Sequence, residues 1–171
     1  MRLLIAVRSW AEHFNSHDAI RASWGAEAAS LGIQTRFFVS EQAALLRKSD
    51  EILVHAPDSE AGVPRMTREI FKWAAGKQID YLFLAYPNTL VSPVELMNTF
   101  LQVRGFDYAG KFESSHLDFP WASGRDGYFL SRNAFGTLSL LFPTDLPEDQ
   151  WVGQALGPLV LEKEITYLDT K

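Results

Sequence analysis

The chain contains no cysteine, and that absence removes disulfides, thiolate nucleophiles and cysteine metal ligands together. A long apolar run is missing as well. After Arg2, the stretch Leu3-Leu4-Ile5-Ala6-Val7 stops at Arg8 and Ser9, whereas a signal-peptide core takes about 7–15 apolar residues and a membrane span about 20. The run reads as a buried first strand, no membrane span is expected, and with no signal or anchor expected a cytoplasmic setting fits. Positive charge is also scarce: Lys and Arg number 16 against 21 Asp and Glu, a formal net charge of −5. Such a balance gives no overall attraction to phosphate backbones or anionic membranes, so nucleic acid is not an expected partner.

What is present is apolar material in short, regularly spaced pieces. With 171 residues, 47% of them hydrophobic, the chain is sized for a single domain spanning 1–171 with a core covered on two sides. Strands are predicted at Arg2–Val7, Thr35–Val39, Glu51–Val54, Tyr81–Ala85, Tyr108–Ala109, Gly127–Ser131 and Ile165–Leu168. Helices are predicted at Asp18–Leu31, which stops before Gly32, at Met66–Ala75, and at Pro93–Val103 behind a Ser92 cap. Strand and helix alternate, which predicts an α/β fold with a mainly parallel sheet flanked by helices. The stretch 56–64 reads as an ordered loop over the sheet edge, and the second half, with Gly and aromatic residues crowding 112–128, reads as loop-rich.

Ligands of parallel α/β sheets settle at the carboxyl ends of the strands. Arg8 and Ser9 after the first strand, and Asp58 with Ser59 after the third, are therefore either ligand-facing groups or caps of the next turn. In Ser123-Gly124-Arg125-Asp126-Gly127-Tyr128 two glycines, a serine and an Arg-Asp pair precede an apolar strand. Glycines there permit positive φ and close approach of backbone N–H groups to a ligand oxygen, or simply a tight turn. Glu148-Asp149 stand at the start of an amphipathic helix with Leu146, Trp151 and Leu156 apolar. Carboxylates in a first turn stabilise the helix by about 0.3–1 kcal/mol, and a carboxylate within reach of a sugar hydroxyl can also act as general base.

Taken in order, these pieces resemble the glycosyltransferase family that contains the β-1,3-galactosyltransferases, the β-1,3-N-acetylglucosaminyltransferases and the fringe enzymes. The residues that carry the resemblance begin with Leu4-Ile5-Ala6-Val7-Arg8-Ser9, and Ala19-Ile20-Arg21-Ala22-Ser23-Trp24-Gly25 is similar to A-I-R-x-T-W-G. Asp50-Glu51-Ile52-Leu53 with Asp58-Ser59, and then Lys72-Trp73, follow in the family's order. Phe119-Pro120-Trp121-Ala122-Ser123-Gly124 through Gly127-Tyr128-Phe129-Leu130-Ser131 resembles Y-P-x-Y-x-S-G-x-G-Y-V-L-S, and Glu148-Asp149-Gln150-Trp151-Val152-Gly153 looks like E-D-V-x-x-G. The resemblance implies a GT-A type nucleotide-binding sandwich, a UDP-sugar donor, a glycan acceptor and inversion at the anomeric carbon. By position it makes Asp149 the base with Glu148 beside it. It puts Ser9, Arg21, Asp58 and Arg125 around the donor nucleotide, and Ser123, Gly124, Asp126, Gly127 and Tyr128 on the substrate floor.

The pattern breaks after the fourth strand. Where the family carries D-D-D or D-x-D, whose carboxylate holds the metal on the donor diphosphate, this chain has Tyr86-Pro87-Asn88. Tyr and Pro present no hard anionic oxygen, so no metal cofactor is expected in the family's manner. Two readings follow. In one, the transferase is metal-independent and Arg125, Lys111 or Arg21 neutralises the leaving diphosphate. In the other, the fold is a catalytically inactive binding module or the partner of a catalytic chain. The chain is shorter than the family's usual catalytic region, which leaves an acceptor face for a second copy or a partner glycosyltransferase to complete. A non-enzymatic α/β scaffold is the third possibility.

Overall fold

The computed structural model describes residues 1–43, 48–113, 118–161 and 167–170. Its strands are β1 (Leu3–Ser9), β2 (Gln34–Ser40), β3 (Glu51–Val54), β4 (Tyr81–Ala85), β5 (Tyr108–Gly110), β6 (Phe112–Glu113), β7 (Trp121–Ala122), β8 (Tyr128–Ser131) and β9 (Tyr167–Asp169). Its helices are α1 (Phe14–Ala22), α2 (Trp24–Ser30), α3 (Val63–Ala75), α4 (Pro93–Val103), α5 (Arg132–Ser139) and α6 (Glu148–Leu161). Among the described residues, seven strands form one sheet in the order β3-β2-β1-β4-β8-β5-β9, and β6 pairs with β7. β8 lies antiparallel to both β4 and β5, while the other pairings within the sheet are parallel. The mixed α/β fold with a mainly parallel sheet is the expected one.

The period of two along each strand sorts side chains between two cores. On β1, Leu4 and Ala6 join a cluster with Met66, Ile70 and Phe71 of α3, Phe135 of α5 and Trp151 of α6. Leu3, Ile5 and Val7 join the opposite cluster with Ile20 of α1, Trp24 of α2 and Phe100 of α4. All seven residues of β1 are buried, because helices cover both faces. After β1 the chain builds β2 and β3 outward on one side and then returns to place β4 on the other. The β1–β4 junction is therefore the switch point, where the two carboxyl ends leave a crevice.

Several expected boundaries move. The helix expected over Asp18–Leu31 is two helices that begin earlier, at Phe14, and break at Ser23, whose backbone sits at φ −117° and ψ −116°. There the Ser23 hydroxyl donates to the Ala19 carbonyl at 2.6 Å, a local bond that competes with helix continuation. Asp18, within α1, pairs with Arg21 and Lys48. α3 starts at Val63, with Pro64 in the first turn where its missing N–H costs nothing. α4 matches its predicted span, and the Ser92 hydroxyl accepts from the Glu95 N–H. α5 was not expected in the loop-rich half, and of the last predicted strand Ile165 and Thr166 lie outside the described residues.

Candidate functional site

A cleft of about 850 Å³ opens at the switch point. Its lining includes Trp10 and His13 after β1, Tyr86 and Asn88 after β4, and Glu60. A second group on the lining, from later in the chain, is Lys111, Ser123, Arg125, Asp126, Glu148 and Asp149. Two hydrogen-bonded features bring the second group there. The β6–β7 pairing sets Phe112 against Ala122, and the Ser123 N–H donates to the Lys111 carbonyl at 2.9 Å, so the turn 123–127 begins beside Lys111. At Gly127 the backbone takes φ +82°, and a Cβ would lie 2.3 Å from the Phe83 ring, so the turn requires glycine. The start of α6 reaches the turn because Gly153 lets the helix approach β7: a Cβ there would lie 2.4 Å from the Trp121 Cβ.

Arg8 continues the parity of Leu4 and Ala6, and its fully buried guanidinium lies beneath this cleft. It forms an ion pair with Glu148, donates to the Gly124 carbonyl at 3.3 Å, and sits 4.1 Å below the centre of the Tyr86 ring. Tyr128 donates its phenolic hydrogen bond to the same Glu148 carboxylate. Burial works against the Arg8 charge, but the Glu148 carboxylate and the nearby Tyr86 and Tyr128 together more than offset it and hold the guanidinium protonated. Burial pushes the Glu148 carboxyl above its ordinary value against the pull of Arg8. Burial likewise raises the Tyr128 phenol well above its usual range. Glu148 is thus committed inward. Asp149, half-buried on the cleft wall, accepts from the Gly124 N–H at 2.9 Å through Oδ2 and from the Gln150 N–H at 2.9 Å through Oδ1. Each of its oxygens keeps a free lone pair.

The sequence-predicted residues divide into two groups. Ser123, Gly124, Arg125, Asp126, Gly127, Tyr128, Glu148 and Asp149 gather at or directly behind the cleft. Arg125 is exposed on the lining, and Asp126 lies 3.8 Å from the Lys111 ammonium in an exposed ion pair. Ser9, Arg21 and Asp58 are not among the described lining residues. Ser9 follows the opposite parity from Arg8 and is buried with its hydroxyl 2.8 Å from His17 Nε2, while His17 Nδ1 is 3.0 Å from Glu51. Arg21 is spent on Asp18, Asp50 and Glu51 along the flank of α1. Asp58 accepts from the Ala11 N–H at 3.0 Å, which pins the loop after β3 to the turn after β1. Arg8, expected as a ligand-facing group or a cap of the next turn, is instead the buried junction beneath the cleft, a place that its position in the alternation of β1 signals. Trp10, His13 and Tyr86 were missed as cleft walls.

No family model matches the chain, and no curated protein matches it. Solved structures do. A glycosyltransferase involved in the glycosylation of the major capsid of PBCV-1 superposes with a TM-score of 0.58 at 11% identity, over 100% of this chain and 82% of that one. A CMP:2-keto-3-deoxy-manno-octonic acid synthetase complexed with CTP gives 0.51 at 12%, over 99% and 89%. The bifunctional IspDF from Campylobacter jejuni gives 0.51 at 8%, over 100% of this chain and 50% of that one. The fold is glycosyltransferase- and nucleotidyltransferase-like. A likeness at such identities concerns backbone architecture, in which the crevice at the carboxyl ends of the strands is the ligand-binding place; the chemistry of the cleft has to be argued from its own side chains. Among the described residues no helix is long and apolar enough to cross a membrane.

Proposed function

We propose that this glycosyltransferase-like chain transfers a sugar from a UDP-sugar to a glycan hydroxyl with inversion, in the manner of the β-1,3-galactosyltransferase and fringe family, and without a divalent metal. The observation that carries the proposal is the Asp149 carboxylate on the cleft wall, oriented by the Gly124 N–H and by its own helix start. In the reaction the acceptor oxygen forms a bond to the anomeric carbon while its proton passes to Asp149 Oδ1 or Oδ2. The bond from that carbon to the diphosphate oxygen breaks on the opposite face, and its electron pair leaves with the nucleoside diphosphate. Arg125 and Lys111, both exposed on the cleft lining, are the cations placed to offset that charge. Residue chemistry supports metal independence: Tyr86 and Asn88 occupy the lining after β4 where the family has carboxylates. The half-open aromatic wall of Trp10 and Tyr86 suits stacking of a base or a sugar face. A cytoplasmic location and completion of the acceptor side by a second copy or a partner chain belong to the same reading.

One observation favours a second reading. With Glu148 neutralised by Arg8 beneath, the cleft is still lined by the carboxylates of Glu12, Glu60, Glu113, Asp126 and Asp149 against the cations Lys111 and Arg125, a balance unfavourable to a bare diphosphate. An inactive module that binds a neutral glycan on the aromatic wall fits this balance. Calorimetric titration of UDP, first with EDTA and then with manganese, separates the two. The transferase reading expects binding that EDTA leaves unchanged, and turnover of a UDP-hexose that falls by about 10²-fold or more in Asp149→Asn while UDP affinity is kept. No UDP binding in either condition removes it.

A further inference from the structure

Three segments far apart in the sequence meet on one side chain. Arg8, at the end of β1, holds Glu148 at the first position of α6 by an ion pair and the Gly124 carbonyl of the turn before β8 at 3.3 Å. It also reaches the Ala85 carbonyl at the end of β4 at 3.5 Å and lies under the ring of Tyr86, the next residue. We propose that Arg8 is the positioning residue of the cleft, fixing the direction of the Asp149 carboxylate without touching substrate. The inference rests on the reading of Asp149 as the base.

Arg8 acts on Asp149 by two routes. It grips the residue immediately before Asp149 through Glu148, and it grips the carbonyl of Gly124, whose N–H is the donor to Asp149 Oδ2 at 2.9 Å. Asp149 is therefore held from its backbone and from its carboxylate by groups anchored to one planar guanidinium. Tyr128, donating to the other side of Glu148, closes the arrangement. Stability alone is a weak reason for such a group: buried ion pairs are often matched or exceeded by apolar residues of similar volume. A fixed fork with five N–H donors, by contrast, can hold a carboxylate and a carbonyl at a set angle, which an ammonium on a flexible stem cannot do.

Arg8→Lys keeps the charge beside Glu148 and gives up that second, directed hold. Site-resolved amide hydrogen exchange on the full chain reads the consequence. The expected result is exchange of the Gly124 N–H faster by about fivefold, the factor that one hydrogen bond of ordinary net strength protects by, with the Leu4–Val7 and Leu82–Ala85 amides unchanged. Turnover of a UDP-hexose should then fall by about tenfold in kcat, as misplacement of a catalytic group does, with the donor KM held within about twofold. Should Arg8→Lys not fold, Arg8→Met combined with Glu148→Gln removes both charges together and leaves Tyr128 an acceptor, and the same local loss at Gly124 is expected. Unchanged protection of Gly124 in a folded variant overturns the inference, and so does uniform loss across the sheet, which marks a merely structural arginine. Turnover that survives Asp149→Asn overturns the reading of Asp149 as the base instead, while the exchange pattern still decides whether Arg8 orders the Gly124–Asp149 contact.

Discussion

Arg8 and Arg21 both close ion pairs with carboxylates, yet they do different work. Arg21 meets three acids, Asp18, Asp50 and Glu51, along the half-open flank of α1, and ties that helix to the start of β3. Arg8 meets one acid, Glu148, with both side chains almost wholly out of water. Near water, three partners add modestly, because each charge is already well solvated before pairing. In the dry floor of the cleft one partner is indispensable, since either charge without the other is buried and uncompensated. The number of ion pairs is a poor guide to what depends on them. Burial, and what the partners are attached to, decide it: Arg21 secures a helix, whereas Arg8 secures the wall of a cleft.

The sharpest way to break this comparison is Glu148→Ala. It strips the Arg8 guanidinium of its counter-charge and leaves the Tyr128 hydroxyl without its acceptor, so a loss of about 3–5 kcal/mol is expected. A lowered urea midpoint at constant slope would show it. Arg21→Ala is expected to cost less, about 1–2 kcal/mol at neutral pH, because its partners can return to water. The Arg21→Ala loss should also shrink as salt is raised, while the Glu148→Ala loss should not. Equal losses with equal salt dependence would show that the two arginines do the same work.

The difference between the two sites also marks what the sequence makes legible. β1 was readable because a strand covered on both faces is apolar throughout, and α4 because Ser92 and Pro93 announce its start. The 123–128 turn and Glu148-Asp149 were readable as site candidates because they fall in the segments that carry the family resemblance, and the structure brings Ser123, Arg125, Asp126, Glu148 and Asp149 to one cleft. α5 escaped because Arg132–Ser139 holds Asn133, Gly136 and Thr137, weak helix formers. It forms because the Ser131 hydroxyl caps it and Ala134, Phe135 and Leu138 are buried. The Asp18–Leu31 boundary failed because the break at Ser23 comes from one local hydrogen bond that helical period does not register. Arg21 was favoured over Arg8 because a motif points to Arg21, whereas the worth of Arg8 lies in contacts with Gly124 and Glu148, far along the chain.

The smallest expected effects lie in the pH dependence, and they separate the two sites by sign. Asp50, bonded first of all by Arg21, has its carboxyl held below the ordinary value of 3.8. Glu51 also lies below its ordinary 4.5, because the bonds from Arg21 and His17 outweigh its burial. Groups with depressed folded values contribute stability that is present above their unfolded values and lost as pH falls through the folded ones. Arg21→Ala should therefore flatten the acid limb below about pH 4. Glu148, raised by burial, runs the other way: its contribution falls as pH rises from its ordinary 4.5 through the higher folded value.

His17 adds a separate window. It is buried against Phe14 and Phe37, between Ser9 and Glu51 with Arg21 close behind, and burial holds its pKa below the ordinary 6.5. The folded chain keeps His17 neutral while the unfolded chain takes up a proton, so stability declines as pH falls from about 6.5 toward the lower folded value. His17→Gln keeps a polar group between Ser9 and Glu51 and cannot titrate. Thermal unfolding followed across pH 5 to 7, roughly the range of histidine titration, should lose its slope in that variant and keep the acid limb that Arg21 governs. A slope that survives His17→Gln would assign the titration to another group and leave the α1 flank with a single charge system, the one centred on Arg21.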